Sequence, residues 1–302
     1  MLKERLKIAL NIHTASDRII QYIFAVVGFI SVAFLFLIMI FLFKEGLPVF
    51  NSVSVKEFLF GTSWYPTSVP PKFGTLPLIV ASLTVTFFAA AFAVPFSMAI
   101  AIYLSELAPA TLREIVKPII ELIASIPSVI IGFFGMVVVA PFLQDHFDID
   151  TGLNVLNAAI MLAFMAIPTI ASISEDALSS VPASLKEASY ALGANRWQTI
   201  VHITMSAALS GIWTAIILGI SRVLGETMVV LMVAGGATIF PTSLFDPVRP
   251  LTANIAAEMA EASYRSDHYF ALFAIGIILF VLTLLFNVIA NYLSMKYKFK
   301  WN

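Results

Sequence analysis

Apolar residues fall into six long runs along this chain, at about 19–43, 75–104, 115–140, 153–174, 207–235 and 269–293, with polar stretches between them. Each run approaches or exceeds the ~20 residues a helix needs to cross the hydrocarbon of a bilayer. The runs are continuously apolar rather than alternating, which predicts helices and argues against a β-barrel. The expected fold is all-α and integral to a membrane, with six transmembrane helices. The expected layout is an N-terminus 1–18 inside, a first transmembrane helix 19–43, an outer loop 44–74, a core of five helices within 75–293, and a tail 294–302. The second and fifth runs are long enough to be broken or to project from the membrane. Pro95, Pro127 and Pro168 interrupt three consecutive runs. Carbonyls freed by proline must find neighbours or water in lipid, so these helices are expected to face protein or a cavity.

Composition removes several classes of function. Only 12% of the 302 residues are charged and 60% are hydrophobic, against about 25% charge in a soluble domain. The net charge of −1 argues against a nucleic-acid partner. Cysteine is absent, which excludes disulfides, thiol catalysis and thiolate-bound zinc. The four histidines, His13, His146, His202 and His268, show no metal-ligand spacing. The basic start, Met1 to Arg18, leads into an apolar run too long for a cleavable signal, so that run is expected to stay as a span.

Lysine and arginine set the expected sidedness. An N-terminus placed inside puts eleven of them in the cytoplasm: Lys3, Arg5, Lys7, Arg18, Arg113, Lys117, Lys186, Arg196, Lys296, Lys298 and Lys300. Five fall outside: Lys44, Lys56, Lys72, Arg249 and Arg265. The positive-inside rule then predicts that both termini are cytoplasmic. Glu175 and Asp176, which close the fourth run, are expected on the cytoplasmic surface.

Two charges, Arg222 and Glu226, lie inside the fifth run, with Thr227 beside them. A lone charge at mid-membrane costs at least ~2.5–3.5 kcal/mol on insertion scales. Spaced i and i+4, the two share a helix face and can pair. Two readings stand at this point: a structural clamp within or between helices, or the lining of a translocation path. A guanidinium offers a fork of donors suited to oxyanions. In the path reading Arg222 attracts an anion and Glu226 keeps it from being trapped, since a passage site must also release. Gly211, Ala215 and Gly219 recur every four residues, a spacing that lets another helix or subunit approach closely.

Between the fourth and fifth runs lie about thirty residues of mixed charge, including Lys186, Glu187, Arg196, Trp197 and His202. A connector needs far less, so this segment, 182–206, is expected to dock a partner. No Gly-Lys-Ser/Thr phosphate loop occurs, so ATP, if it drives the protein, is bound and hydrolysed on another chain. The chain itself is expected to be no enzyme and to carry no cofactor.

Glu187-Ala188-Ser189, followed by Gly193 six positions after the glutamate and Ile203 ten after that, resembles the EAA loop of ABC importer permeases. Ser189 departs from the family's third-position alanine, and Met205-Ser206 stands where Leu-Pro is usual. A narrower resemblance runs through Ser221 to Gly235, Ile126 to Gly135, Phe60 to Pro66 and Phe73 to Leu78. These stretches are similar to the C-type permease subunits of phosphate (Pst) importers, and Met228 after Gly225-Glu226-Thr227 favours that type over the sister A-type. The resemblance implies the type I ABC importer permease fold in a bacterial or archaeal cytoplasmic (inner) membrane. It implies a complex with an A-type permease, a dimer of ATPase subunits holding ATP and Mg, and an external phosphate-binding protein. Inorganic phosphate would be the cargo, moved by alternating access. Arg222, Glu226 and Thr227 would lie on the path, and Glu187, Ala188, Gly193 and Ile203 would couple to the ATPase. The outer loops 44–74 and 236–268 would meet the binding protein. A permease for sulfate, molybdate or tungstate, and an ion-coupled carrier or channel, are the alternatives.

Overall fold

The computed structural model describes the backbone of residues 2–296 and the side chains of residues 20–292. Beyond position 296 the tail expected at 294–302 lies outside the described residues. The chain runs α1 (Leu2–Gly46), a 3-10 turn, α2 (Val55–Phe60), and a two-stranded antiparallel pair of β1 (Trp64–Tyr65) with β2 (Lys72–Phe73). It continues through α3 (Leu76–Ile102), α4 (Ala110–Ala124), α5 (Ser128–Phe134), α6 (Ala140–Phe147) and α7 (Val155–Ser179). The remainder is α8 (Ala183–Ala191), α9 (Arg196–Thr199), α10 (Met205–Leu224), α11 (Met228–Val233), α12 (Leu251–Glu258) and α13 (Asp267–Lys296). Among the described residues, six segments are long and apolar enough to cross a membrane: Ile20–Asn51, Leu76–Leu107, Ser128–Phe147, Val155–Ser179, Arg196–Leu224 and Asp267–Tyr292.

Two of these depart from the expected runs. The third was expected at 115–140, but its helix is interrupted at Ser125–Pro127, and the apolar crossing segment starts only at Ser128. Pro127 takes an extended conformation with ψ 135° and cannot continue a helix from α4. The fifth was expected to reach 235, but α10 stops at Leu224 and a new helix begins at Met228. Hydropathy runs straight through both breaks, so neither alters the apolar pattern. The N-terminal segment, in turn, is continuous with the first span in α1.

The core is built on small residues. Ala81, Val85, Ala89, Ala93, Ser97 and Ala101 form a fully buried row with a spacing of four along α3. Rows of this kind bring helix backbones close enough for van der Waals packing to hold them where no hydrophobic effect operates between helices. This row lies against Ala158, Leu162, Ala166 and Ile170 of α7. Near the helix-internal prolines Pro95 and Pro168, Ser97 Oγ donates both to Ala93 O (2.7 Å) and across to Ile167 O (3.2 Å). The Gly211–Ala215–Gly219 row of α10 also faces α7, with Gly211 against Ala177 and Gly219 against Ile170. It is thus a helix interface inside this chain. Helix α1 packs on α13 near its C-terminal end, through Phe41 and Phe273 with ring centroids 5.7 Å apart and through Leu42 and Gly46, and is exposed over residues 20–38.

Loops 44–74 and 236–268 gather at one end of the bundle. There Glu258 accepts from Trp64 Nε1 (3.0 Å) and Arg249 Nη1 (2.7 Å) and pairs with His268 Nε2 (2.9 Å). The first turn of α7 has N–H groups with no partner in the helix, and the 240–248 loop supplies them with Asp246 O to Val155 N (3.1 Å) and Leu244 O to Leu156 N (2.8 Å). Asp246 is fixed in turn by the Thr242 hydroxyl, followed by the Thr242 and Ser243 N–H groups, and these donors hold its carboxyl below the usual range.

A Cβ at Gly219 would overlap Ile170, whereas Gly28 of α1 has nothing within 4 Å. Overpacking a filled interface costs about 1–3 kcal/mol. Gly219→Leu is expected to lower the thermal unfolding midpoint of the purified protein, and Gly28→Leu to leave it within error of wild type.

Candidate translocation site and coupling surface

Arg222 occupies the last turn of α10, and its Nη1 donates to Thr169 Oγ1 at 3.2 Å. Thr169 is close to the middle of α7, so the guanidinium lies near mid-depth of the helical layer. It is exposed in the isolated chain, and Thr169 is its sole hydrogen-bond partner among the described residues. The expected pairing with Glu226 is not formed. The helix ends between the two, at Gly225, which removes the i, i+4 relation, and the carboxylate turns to another task. Glu226 Oε1 accepts from the N–H groups of Met228 (3.2 Å) and Val229 (3.4 Å), capping the start of α11. Free N–H groups at a helix start favour a carboxylate. The Glu226 carbonyl accepts from Thr252 Oγ1 (2.8 Å), and Thr227 Oγ1 donates to Gly225 O (3.4 Å). The three residues therefore stay together at the break, and neither charge has a charged partner among the described residues: Glu226 is met by backbone N–H groups and Arg222 by a hydroxyl.

The break in the third span lies close by. Ile126 sits beside Met161 and Phe164 of α7, and α5 packs on α11 where Gly132 stands against Val229 and Met232. Two interrupted helices thus meet along the middle of α7.

At the end of the bundle away from Glu258, segment 182–206 folds as a helical hairpin. Helix α8 stops at Leu192, and Gly193 turns the chain with φ +84°, a left-handed value that favours glycine. Asn195 then opens α9 with a capping box, its Oδ1 accepting from Gln198 N (2.8 Å) and its N–H donating to Gln198 Oε1 (2.9 Å). A π-turn, Ile200–Thr204, feeds into α10. Ser189, the departure from alanine in the EAA pattern, is buried and hydrogen-bonded to Thr199 Oγ1 at 2.9 Å. The extra hydroxyl therefore ties the two arms together. Ala188, Gly193 and Ile203 line one recess of about 550 Å³. Glu187 stands exposed beside it, and Leu192 (90% exposed) and Trp197 (63%) project from the hairpin. Large exposed apolar side chains next to a recess are of the kind that anchor interfaces.

Two glutamates fasten this end, and both were missed from sequence. Glu175, expected at the surface, is 1% exposed. It accepts from Arg113, Lys117 Nζ (2.7 Å) and Ser179 Oγ (2.7 Å), which joins α4 to α7. Asp176 next to it is exposed, as expected. Burial follows because α4 lies along the last turns of α7 and brings Arg113 and Lys117 to Glu175, whereas Asp176, reached by Lys117 as well, stays at the exposed edge of the contact. Glu106, in the π-turn Tyr103–Leu107 that ends α3, pairs with Lys186 Nζ at 2.6 Å.

Residues 93–299 match the family of binding-protein-dependent transport system inner membrane components. The chain belongs to this family. The permease is 42% identical over 263 residues to "Probable ABC transporter permease protein YqgH" of Bacillus subtilis, covering 86% of this chain and 85% of that one. It is 39% identical over 260 residues to "Phosphate transport system permease protein PstC" of Mesorhizobium japonicum, covering 80% and 78%. A subunit of a bacterial alginate ABC transporter, solved with its pentasaccharide-bound periplasmic protein, superposes with a TM-score of 0.61 at 17% identity, over 89% of this chain and 93% of that one. The fold is accordingly that of the type I ABC importer permeases, all-α and multi-pass, and the permease resembles the C-type subunits of phosphate importers.

Gly193 has open space around it but a left-handed φ, so a side chain there strains the turn and not the core, by about 1–2 kcal/mol. Gly193→Val and Glu187→Ala are expected to leave the permease in the membrane while lowering transport per ATP hydrolysed in the assembled importer. Unchanged coupling in both would remove the docking role.

Proposed function

We propose that this permease carries inorganic phosphate inward by alternating access, receiving it from an external binding protein and the driving force from a separate ATPase docked on residues 182–206. The observation that carries the reading is the Arg222 guanidinium, held near mid-depth by a neutral hydroxyl and exposed in the single chain. Lipid does not tolerate such a charge, so it faces water or a second polypeptide. A sister permease pressed against the broken spans would enclose a cavity with Arg222 on its wall. The guanidinium offers forked donors to a tetrahedral oxyanion. The capping role of Glu226 leaves that fork free.

In this reading the hairpin end is cytoplasmic, in keeping with the lysine and arginine balance, and the Glu258 end faces the binding protein. ATP and Mg reside on an ATPase dimer whose closure moves the hairpin. The names of relatives such as that of Mesorhizobium japonicum support phosphate as cargo, while that of Bacillus subtilis names only a permease.

Radiolabelled phosphate uptake by cells lacking this chain tests the proposal, with sulfate uptake measured in parallel. Wild type is expected to restore phosphate uptake selectively. A hydrogen bond to a charged group contributes about 1.5–3 kcal/mol, so Arg222→Gln at equal membrane levels is expected to lower uptake by roughly ten- to a hundredfold. Sulfate-selective rescue would reassign the cargo, and full uptake by the variant would remove Arg222 from the path.

A further inference from the structure

Glu106 is held from both arms of the hairpin. Its side chain pairs with Lys186 of α8 (2.6 Å), and its main-chain carbonyl accepts from the guanidinium of Arg196, the first residue of α9. These two cations lie on opposite sides of the Gly193 turn. The hairpin between them is braced internally by the buried Ser189–Thr199 hydrogen bond and the Asn195–Gln198 capping box, so it moves as one piece. Glu106 is only 8% exposed at its side chain, which shields the pair from the screening that weakens surface ion pairs. Cations also suit the carbonyl-rich end of a helix, and Glu106 stands at the end of α3.

From α3 the contact continues inward. The row of small residues locks α3 to α7, and Ser97 bridges to the carbonyl of Ile167, two residues before the Thr169 that holds Arg222. We infer that Glu106 is the positioning residue through which displacement of the 182–206 hairpin is transmitted to α3, and so to the helices around Arg222. A hairpin joined only through its own chain would reach α3 only indirectly, through the packing of α3 on α7 and α10. The clasp adds a direct connection to α3, a helix far from the hairpin in sequence. The inference rests on the proposed docking of an ATPase at the hairpin, and goes beyond it by naming the link that carries the motion.

The chain has no cysteine, so a single introduced thiol can report on the path. Thr214→Cys places one on the exposed side of α10, two turns before Arg222. The complete importer, reconstituted in liposomes, would be labelled with a membrane-impermeant maleimide with and without ATP and vanadate, and ATP hydrolysis and phosphate uptake would be measured on the same liposomes. With Glu106 intact, nucleotide trapping is expected to change the labelling rate severalfold. With Glu106→Gln, hydrolysis is expected to persist while the labelling response falls about tenfold, a change of about 1.4 kcal/mol in coupling. The charge exchange Glu106→Lys with Lys186→Glu is expected to recover most of it. A full labelling response in Glu106→Gln would overturn the inference. Loss of the chain from the complex, with no recovery on charge exchange, would also overturn it, in favour of a purely structural clasp. A labelling response in wild type without phosphate uptake would sink the cargo reading and leave the test of Glu106 intact.

Discussion

An apolar medium offers no partner to a backbone N–H or carbonyl, and this permease interrupts two helices near mid-depth. Side chains around the irregular segments satisfy several of the groups they release. Glu226 caps α11, and Thr252 donates to the Glu226 carbonyl across the break. The π-turn at Gly135–Val139, in the other interrupted span, receives Asn157 Nδ2 on the Gly135 carbonyl at 3.0 Å. The same amide reaches Gly152 O at 2.8 Å, so a single buried side chain on α7 serves two irregular segments. Helix α7 is the element that can do this because it lies at the centre, with α3 and α10 on its flanks and the broken spans along it.

Close approach of the helices follows from residue size. Rows of alanine, serine and glycine on α3 and α10 let both backbones sit near α7, and packing of that kind is what holds helices together in lipid. Such packing is the sum of many small, non-directional contacts. The charged clasps at Glu106 and Glu175 have the opposite character. They are few, directional and placed at the hairpin end. Removing one partner from a shielded pair leaves a charge uncompensated, so these contacts resist separation more than the apolar rows do.

Much of this was legible in the sequence, and the failures have a common cause. Six spans and the EAA segment were readable because length, hydropathy and a fixed spacing of glutamate, glycine and isoleucine survive without tertiary information. Pro127 marked an interruption of the third run and the length of the fifth allowed a break, but the break at Gly225–Thr227 was not placed and both runs were drawn as single spans, because a hydropathy profile records what a residue is and not whether its neighbour is hydrogen-bonded. That Glu226 could pair with Arg222 presupposed one continuous helix through Gly225. Glu175 was sent to the surface because its partners Arg113 and Lys117 are distant in sequence. The Ala81-to-Ala101 row on α3 was present in the sequence at the same spacing as the row seen on α10, and attention to buried small residues would have found it.

The loss of the Arg222–Glu226 pair changes the chemistry available at the site. A guanidinium clamped by a carboxylate would present a neutral pair, and an arriving anion would have to compete with the carboxylate. Bonded instead to the neutral hydroxyl of Thr169, Arg222 keeps its full charge and most of its donors. On the proposed reading charge alone would favour trapping, and release would come from geometry: the guanidinium rides on the end of α10 while its hydroxyl partner rides on α7. On that reading, relative motion of those helices would alter the donors offered to an anion, and the break after Leu224 places the end of α10 at the depth where such motion would act.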